Sequence, residues 1–236
     1  MTGVDVAAML PIDGRLFMDP AFVGIVGLSL MVTATAVACA CAVGFPLGAA
    51  IAMLRFPGRS LVIVIVNAFM GLPPVVAGLA VFLLLSRSGP FGELGLLFTP
   101  RAMMVAQFVL VLPIVTALTR QTIEDLWSEY RDQLTSMGAS RLEAIPTLLW
   151  DARFSLITAL LAGFGRASAE VGAILIVGGN IAGFTRTMTT AIALETSKGD
   201  LPLALGLGMV LMTLTFTVNA AAFAVSRIGA RYAGGN

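Results

Sequence analysis

Asp132–Asp151 reads DQLTSMGASRLEAIPTLLWD, and this stretch decides how the chain is laid out. It lies between two strongly apolar segments and is itself too polar to cross a bilayer. Leu134, Met137, Leu142 and Ile145 fall on a helical period with charges between them, while Gly138 and Ala139 interrupt it. The pattern predicts a short amphipathic helix, a turn near Ser140 and a second short helix, with Pro146 as a candidate start for that second piece. Gly138 and Ala139 let another backbone come close, so the loop reads as a docking surface or as an ordinary polar connection between spans.

Outward from this break the chain is apolar. Of its 236 residues 58% are hydrophobic and 11% charged, and the mean hydropathy is +0.97. A soluble domain of this size has no need of so much apolar surface, so the class is an all-α polytopic membrane protein. The net charge of +1 gives no electrostatic case for nucleic acid. The chain has no histidine, the commonest metal ligand and general base. Cys39 and Cys41 are two apart in one apolar segment, so on a helix they face different ways and do not pair. The first twenty residues carry Asp5, Asp13 and Asp19 against Arg15 alone, the reverse of a cleavable signal peptide. They read as a lead-in lying on the non-cytoplasmic membrane surface.

Five spans are expected within a single transmembrane domain over residues 1–236, at about 21–54, 60–86, 102–119, 154–178 and 201–225, with a polar loop at about 120–152. The first segment has no charge from Pro20 to Leu54. At 1.5 Å per residue it reaches about 52 Å, well beyond a ~30 Å hydrocarbon core, so it must tilt, protrude or kink, with Pro46 the natural kink. Gly44 and Gly48 flank that proline at a spacing that permits close helix contact, though glycine is also common in lipid-facing helix. In the second span Pro73 and Pro74 remove two amide donors in succession. Such a break is tolerated in lipid only under protein or water, so it marks either a wall of a substrate path or a kink against a neighbour. Between Arg120 and Arg131 the charges alternate in sign around Ile123, Leu126 and Trp127, the pattern of a solvated helical extension.

The fourth span is interrupted by Arg166 and Glu170, four apart and so expected on one helix face within pairing reach. They either line or gate a path, hold a hinge, or satisfy each other. After a turn at Gly178, Gly179 and Asn180 comes GFTRTMTTAI, where Thr185, Arg186 and Thr189 offer donors suited to a tetrahedral oxyanion. An ordinary polar loop would hold the same residue types.

The 132–151 stretch resembles the cytoplasmic coupling loop of permease subunits of ATP-binding-cassette (ABC) importers. The family pattern is Glu-Ala-Ala, three residues, Gly, nine residues, Ile-x-Leu-Pro. Set on Gly138, it puts Asp132 in place of the Glu, Gln133 and Leu134 in place of the alanines, and Leu148, Trp150 and Asp151 in place of Ile, Leu and Pro. The run from Leu148 to Asp200 is similar to the tungstate-type branch of that family, and GLPPVVAGL from Gly71 to Leu79 resembles the second-span signature of oxyanion permeases. The resemblance covers most of residues 20–226.

The resemblance implies the type I ABC importer permease fold, with Asp132, Thr135, Gly138, Ala139, Ser140, Glu143 and Ala144 at the ATPase-coupling loop. It implies a translocation path whose candidates are Pro73, Pro74, Arg166, Glu170, Asn180, Thr185, Arg186 and Thr189. The implied partners are a second copy of the chain, ABC ATPase subunits and an extracytoplasmic oxyanion-binding protein, all at the lipid bilayer. No cofactor or metal is expected on this chain; ATP and magnesium belong to the ATPase. The sequence has no Gly-x4-Gly-Lys-Ser/Thr motif, and it lacks the nucleophile–base sets of an intramembrane enzyme, so it is not expected to be catalytic.

Eight Lys and Arg residues fall on the side of the 120–152 loop and five on the other, which makes the loop side cytoplasmic. Five spans then put the N-terminus outside and the C-terminus inside, in a cytoplasmic (inner) membrane. Carrying a dianion into a cell ~100 mV negative inside costs about 4.6 kcal/mol, and each tenfold gradient about 1.4 kcal/mol more. Uptake of tungstate, or of molybdate, sulfate or another anion, therefore needs ATP or a co-transported cation. A stand-alone ion-coupled carrier or channel using Arg166 and Glu170 is the alternative from another class.

Overall fold

A computed structural model describes residues 18–233. Most of the expected N-terminal lead-in lies outside them. Among the described residues there is no strand. The helices are α1 (Pro20–Met53), α2 (Arg59–Met70), α3 (Pro74–Leu85), α4 (Pro100–Ser136), α5 (Arg141–Asp151), α6 (Arg153–Ser168), α7 (Gly172–Gly178), α8 (Met188–Lys198) and α9 (Leu201–Ala233), with one 3-10 turn at Gly92–Leu94.

Helices α1, α4 and residues Leu201–Arg227 of α9 are each long and apolar enough to cross a membrane. The number rises to five if two bent pairs, α2 with α3 and α5 with α6, each count as one span. α1 begins where the chain dictates: Asp19 Oδ1 accepts the Ala21 N–H at 2.8 Å, and Pro20 takes the first helical position, where a missing N–H costs nothing. α1 continues through Pro46 for 34 residues. The expected third span and its solvated extension are one helix, α4, 37 residues long with Pro113 inside it.

Two places differ from the sequence reading. Pro146 lies inside α5 and does not start it, because Ser140 already supplies the cap. The helix carrying Arg166 ends at Ser168, so Glu170 is not on its face; it lies in the break before α7.

The chain divides into two compact units. Of the described residues, the first holds 18–34, Pro74–Ala106 and Ser168–Phe216. In it Phe22, Met188, Ala191 and Leu207 form a buried cluster that joins α8 to the ends of α1 and α9. α7 packs on α3, where a Cβ on Gly78 would lie 2.6 Å from the Ala173 Cα.

The second unit holds Thr35–Pro73, Gln107–Ala167 and 217–233. Ala49, Ala52 and Met53 of α1 pack there with Ile123 of α4, Ala144 and Leu148 of α5, and Leu156 of α6. A second cluster joins Val37, Ala40 and Cys41 to Val111, Val115 and Ala167. Full burial of a side chain such as Leu148 is worth about 1.5–3 kcal/mol outside lipid, so α5 is fixed by its inner face.

Candidate functional site

The joint between α4 and α5 is specified by two residues. Gly138 has φ +83°, the left-handed region that a side chain disfavours. Its N–H donates to Thr135 O at 3.0 Å and the Ala139 N–H to Leu134 O at 3.0 Å, which closes the end of α4 as a Schellman motif. Ser140 then opens α5. Its Oγ accepts the Glu143 N–H at 3.4 Å, and Glu143 Oε2 accepts the Ser140 N–H at 2.8 Å, a reciprocal capping box. These hydrogen bonds hold the Glu143 carboxyl below the usual carboxylate range.

Beyond the joint, α5 has two unlike faces. Ala144 and Leu148 are buried, whereas Leu142, Glu143, Pro146, Thr147 and Trp150 are exposed. Met137 and Leu142, counted in the sequence as part of one helical stripe, are 80% and 60% exposed, because the turn separates them from that stripe. The residues Asp132, Thr135, Gly138, Ser140 and Glu143 are also exposed, and Ala139 is half-buried. Nothing lies within 4 Å of a Cβ built on Gly138, so the space at the joint is open. Ala144 faces the core and takes part in packing.

Arginines bind this joint to the membrane helices of the same unit. Arg59 Nε donates to Ile51 O at 2.8 Å, satisfying a carbonyl at the end of α1, and its Nη2 pairs with Glu124 of α4. Glu124 also pairs with Arg120. Arg141, the first residue of α5, donates to Met53 O at 3.4 Å and lies 5.4 Å over the Trp127 ring. The sequence presents Arg59 and Arg141 only as loop charges; their role as caps follows from a long-range approach that no local pattern encodes.

The path candidates Glu170, Asn180, Thr185, Arg186 and Thr189 come together in the first unit, in a buried polar cluster around α7 and α8. Glu170 is 2% exposed, and its Oε1 accepts the Ala173 N–H at 3.0 Å in the first turn of α7. Thr189 Oγ1 donates to Glu170 O at 2.8 Å. Thr185 Oγ1 donates to Gly178 O at 2.6 Å and accepts the Ile181 N–H at 2.9 Å, which ties off the loop. Asn180, at φ +50°, donates from Nδ2 to Thr190 O at 3.3 Å. Ser29 Oγ accepts the Met188 N–H at 2.8 Å, a first-turn amide of α8.

Arg186 has donor capacity left over. Its Nη1 lies 3.5 Å from Glu195 Oε1, while its buried Nε has no partner. Glu195, which sequence reasoning passed over, is 5% exposed and also meets Lys198 Nζ at 3.0 Å. The only signal for it is a lone carboxylate between two cations in RTMTTAIALETSK. Pro73 lies in the break between α2 and α3, and Pro74 is the first residue of α3, a position suited to proline. Arg166 sits half-buried in the last turn of α6. Among the described residues no group of three or more His, Cys, Asp or Glu could hold a metal ion.

No family model matches the chain. Among curated proteins, the chain is 40% identical over 184 residues to a probable anion ABC transporter permease protein of Haloferax volcanii, covering 76% of this chain and 79% of that one. It is 39% identical over 207 residues to a tungstate uptake system permease protein of Peptoclostridium acidaminophilum, covering 88% and 91%. A sulfate transport system permease protein of Salmonella typhimurium is 29% identical over 157 residues, 64% of this chain and 57% of that protein.

Proposed function

Because the chain belongs to the permease family of ABC anion transporters, we propose that it is the membrane subunit of a tungstate importer. The subunit is not itself an enzyme; ATP is hydrolysed on separate ATPase subunits. The observation that carries the cargo is the 39% identity to a tungstate uptake permease over 88% of the chain. Sulfate permeases are relatives at lower identity, which makes another tetrahedral dianion the second reading.

In this reading α5 is the coupling helix. Leu142, Pro146, Thr147 and Trp150 seat in a groove of the ATPase, with Asp132, Thr135, Gly138, Ala139, Ser140 and Glu143 around them. The ATPase holds ATP and magnesium. The joint transmits ATPase closure because α5 is anchored by Arg141 to the end of α1 and by Leu148 to α4. Five spans, with α2 and α3 crossing as one and the fourth running over 154–178 while α5 stays at the cytoplasmic surface, give the type I permease fold in the cytoplasmic membrane, N-terminus outside. Two copies pair around the path, and an extracytoplasmic binding protein delivers the anion. Of the path candidates, Arg186 has the best chemistry for contact, since it keeps a buried donor; Thr185 and Thr189 frame the loop, and Pro73, Pro74, Arg166, Glu170 and Asn180 shape its approaches.

The test is uptake into proteoliposomes holding the chain, its ATPase and its binding protein, with tungstate, molybdate and sulfate compared side by side. ATP-dependent uptake that prefers tungstate is expected. Preference for another anion discards the cargo but keeps the machine. Uptake by the chain alone overturns both and favours an ion-coupled carrier.

A further inference from the structure

A basic cavity of about 560 Å³ lies at the C-terminal end of α1, within the second unit, and none of the exposed α5 residues named above lines it. Arg55, Arg59, Arg131 and Arg141 line it, with Glu124 and Trp127. Four guanidinium groups thus meet one carboxylate, and Glu124 is already shared by Arg59 and Arg120. Arg59 and Arg141 are engaged with carbonyls of α1. Arg55 and Arg131 are exposed and make no ion pair with an acidic residue among the described residues. Desolvation first, and then the charges of Arg55, Arg131 and Arg59, pull the Arg141 guanidinium below its ordinary range. Like charges gathered around one concavity repel, and an anion placed among them removes that repulsion.

The surroundings select among anions. The cavity opens where a 34-residue apolar helix ends, at the level expected for the membrane surface. Leu54 lines it and is 38% exposed, and Phe56, next to Arg55 in the chain, is also 38% exposed. A ligand with an anionic head and an apolar chain satisfies both kinds of surface, and basic pockets between membrane helices take lipid headgroups by this chemistry.

We propose that this cavity binds the phosphate of an anionic phospholipid, with Arg55 and Arg131 as headgroup ligands and Leu54 and Phe56 against its acyl chain. The site depends only on α1 crossing the membrane and not on the cargo. Free phosphate shares the headgroup chemistry, and the apolar flank argues for the lipid.

Trp127 lines the cavity and reports on it directly. The chain has two tryptophans, so a Trp150→Phe variant leaves Trp127 alone as the emitter. The full chain is placed in phosphatidylcholine vesicles containing increasing fractions of brominated phosphatidylglycerol or brominated phosphatidylcholine. Roughly fivefold enrichment per arginine predicts half-maximal quenching at about 25-fold lower fraction of the anionic lipid. Adding Arg55→Gln and Arg131→Gln should abolish the preference while leaving quenching by phosphatidylcholine unchanged. Equal quenching by the two lipids, or a preference that survives both substitutions, overturns the proposal. Reversal of the preference by millimolar inorganic phosphate assigns the cavity to the free anion and overturns the lipid. Transport in neutral vesicles tests the importer reading separately.

Discussion

Gly48 of α1 lies so close to Thr116 of α4 that a Cβ would sit 2.6 Å from the Thr116 carbonyl oxygen. The same atom would meet Thr119 Cβ at 2.7 Å and the Arg120 N at 3.0 Å. Backbone cannot yield as a flexible side chain does, so the two helices would have to separate. Gly48→Ala should therefore destabilise the chain by about 1–3 kcal/mol, the usual cost of overpacking. Gly24→Ala is the control, since nothing lies within 4 Å of its Cβ. Thermal unfolding in detergent reads the difference; equal midpoints would show that the α1–α4 contact is not close.

Gly138 calls for a different kind of substitution. Its surroundings are open, so the cost of a side chain comes from φ +83° alone. Gly138→Ala should cost about 1–2 kcal/mol, and Gly138→Asn less, because asparagine tolerates the left-handed region. Gly138→Leu adds bulk on the partner side of the joint and should reduce copurification of the ATPase. Undiminished copurification would remove Gly138 from the docking surface.

The capping box gives a pH dependence with a definite sign. Because the native Glu143 carboxyl is held below the ordinary range, the stabilisation of the α5 N-terminus is complete above the ordinary glutamate pKa of about 4.3. It is lost as pH falls through the lower native value. Hydrogen exchange at the first amides of α5, corrected for intrinsic rate, should show protection at pH 7 that fades on acidification. Ser140→Ala should speed that exchange about fivefold at pH 7, as a lost hydroxyl cap typically does, and reduce the pH dependence to the part carried by the backbone N–H at 140, which still donates to Glu143. Exchange that is identical in the variant would mean the box does not hold the turn.

Glu195 is predicted to be coupled to Arg186. Charge removal at Arg186 leaves buried Glu195 with Lys198 alone, and charge removal at Glu195 takes the carboxylate from Arg186, so the combined Glu195→Gln and Arg186→Gln variant should lose less than the sum of the two single losses. A double-mutant cycle should give a coupling of roughly 0.5–3 kcal/mol. Additive losses would dissolve the pair.

The sequence displayed those features whose cause is local. The polar break and the glycine that ends α4 lie within the same twenty residues, and the joint appears where that stretch places it. Pro146 misled because proline also marks helix starts, and nothing in its neighbourhood outranked it except the serine six residues before. Arg166 and Glu170 have helical spacing, but α6 ends at Ser168, and Glu170 accepts the Ala173 N–H in the first turn of α7. Thr185 and Thr189 look like free hydroxyls in the sequence. Their acceptors, Gly178 and Glu170, are backbone carbonyls that any residue would offer, so no pattern announces them. The lone Glu195 was invisible for a related reason: its burial comes from the packing of α8 and not from the polarity of its neighbours.

Two of the hydrogen bonds that close the joint run between backbone atoms, and the other two need only Ser140 and Glu143. The side chains at Thr135, Ser136, Met137 and Ala139 are therefore interchangeable as far as the turn is concerned. If the joint docks on the ATPase as proposed, a library randomised at those four positions would keep its shape while selection for uptake sorts its members by fit to that partner. The turn would then be an adaptor whose recognition surface can be rewritten without refolding what carries it.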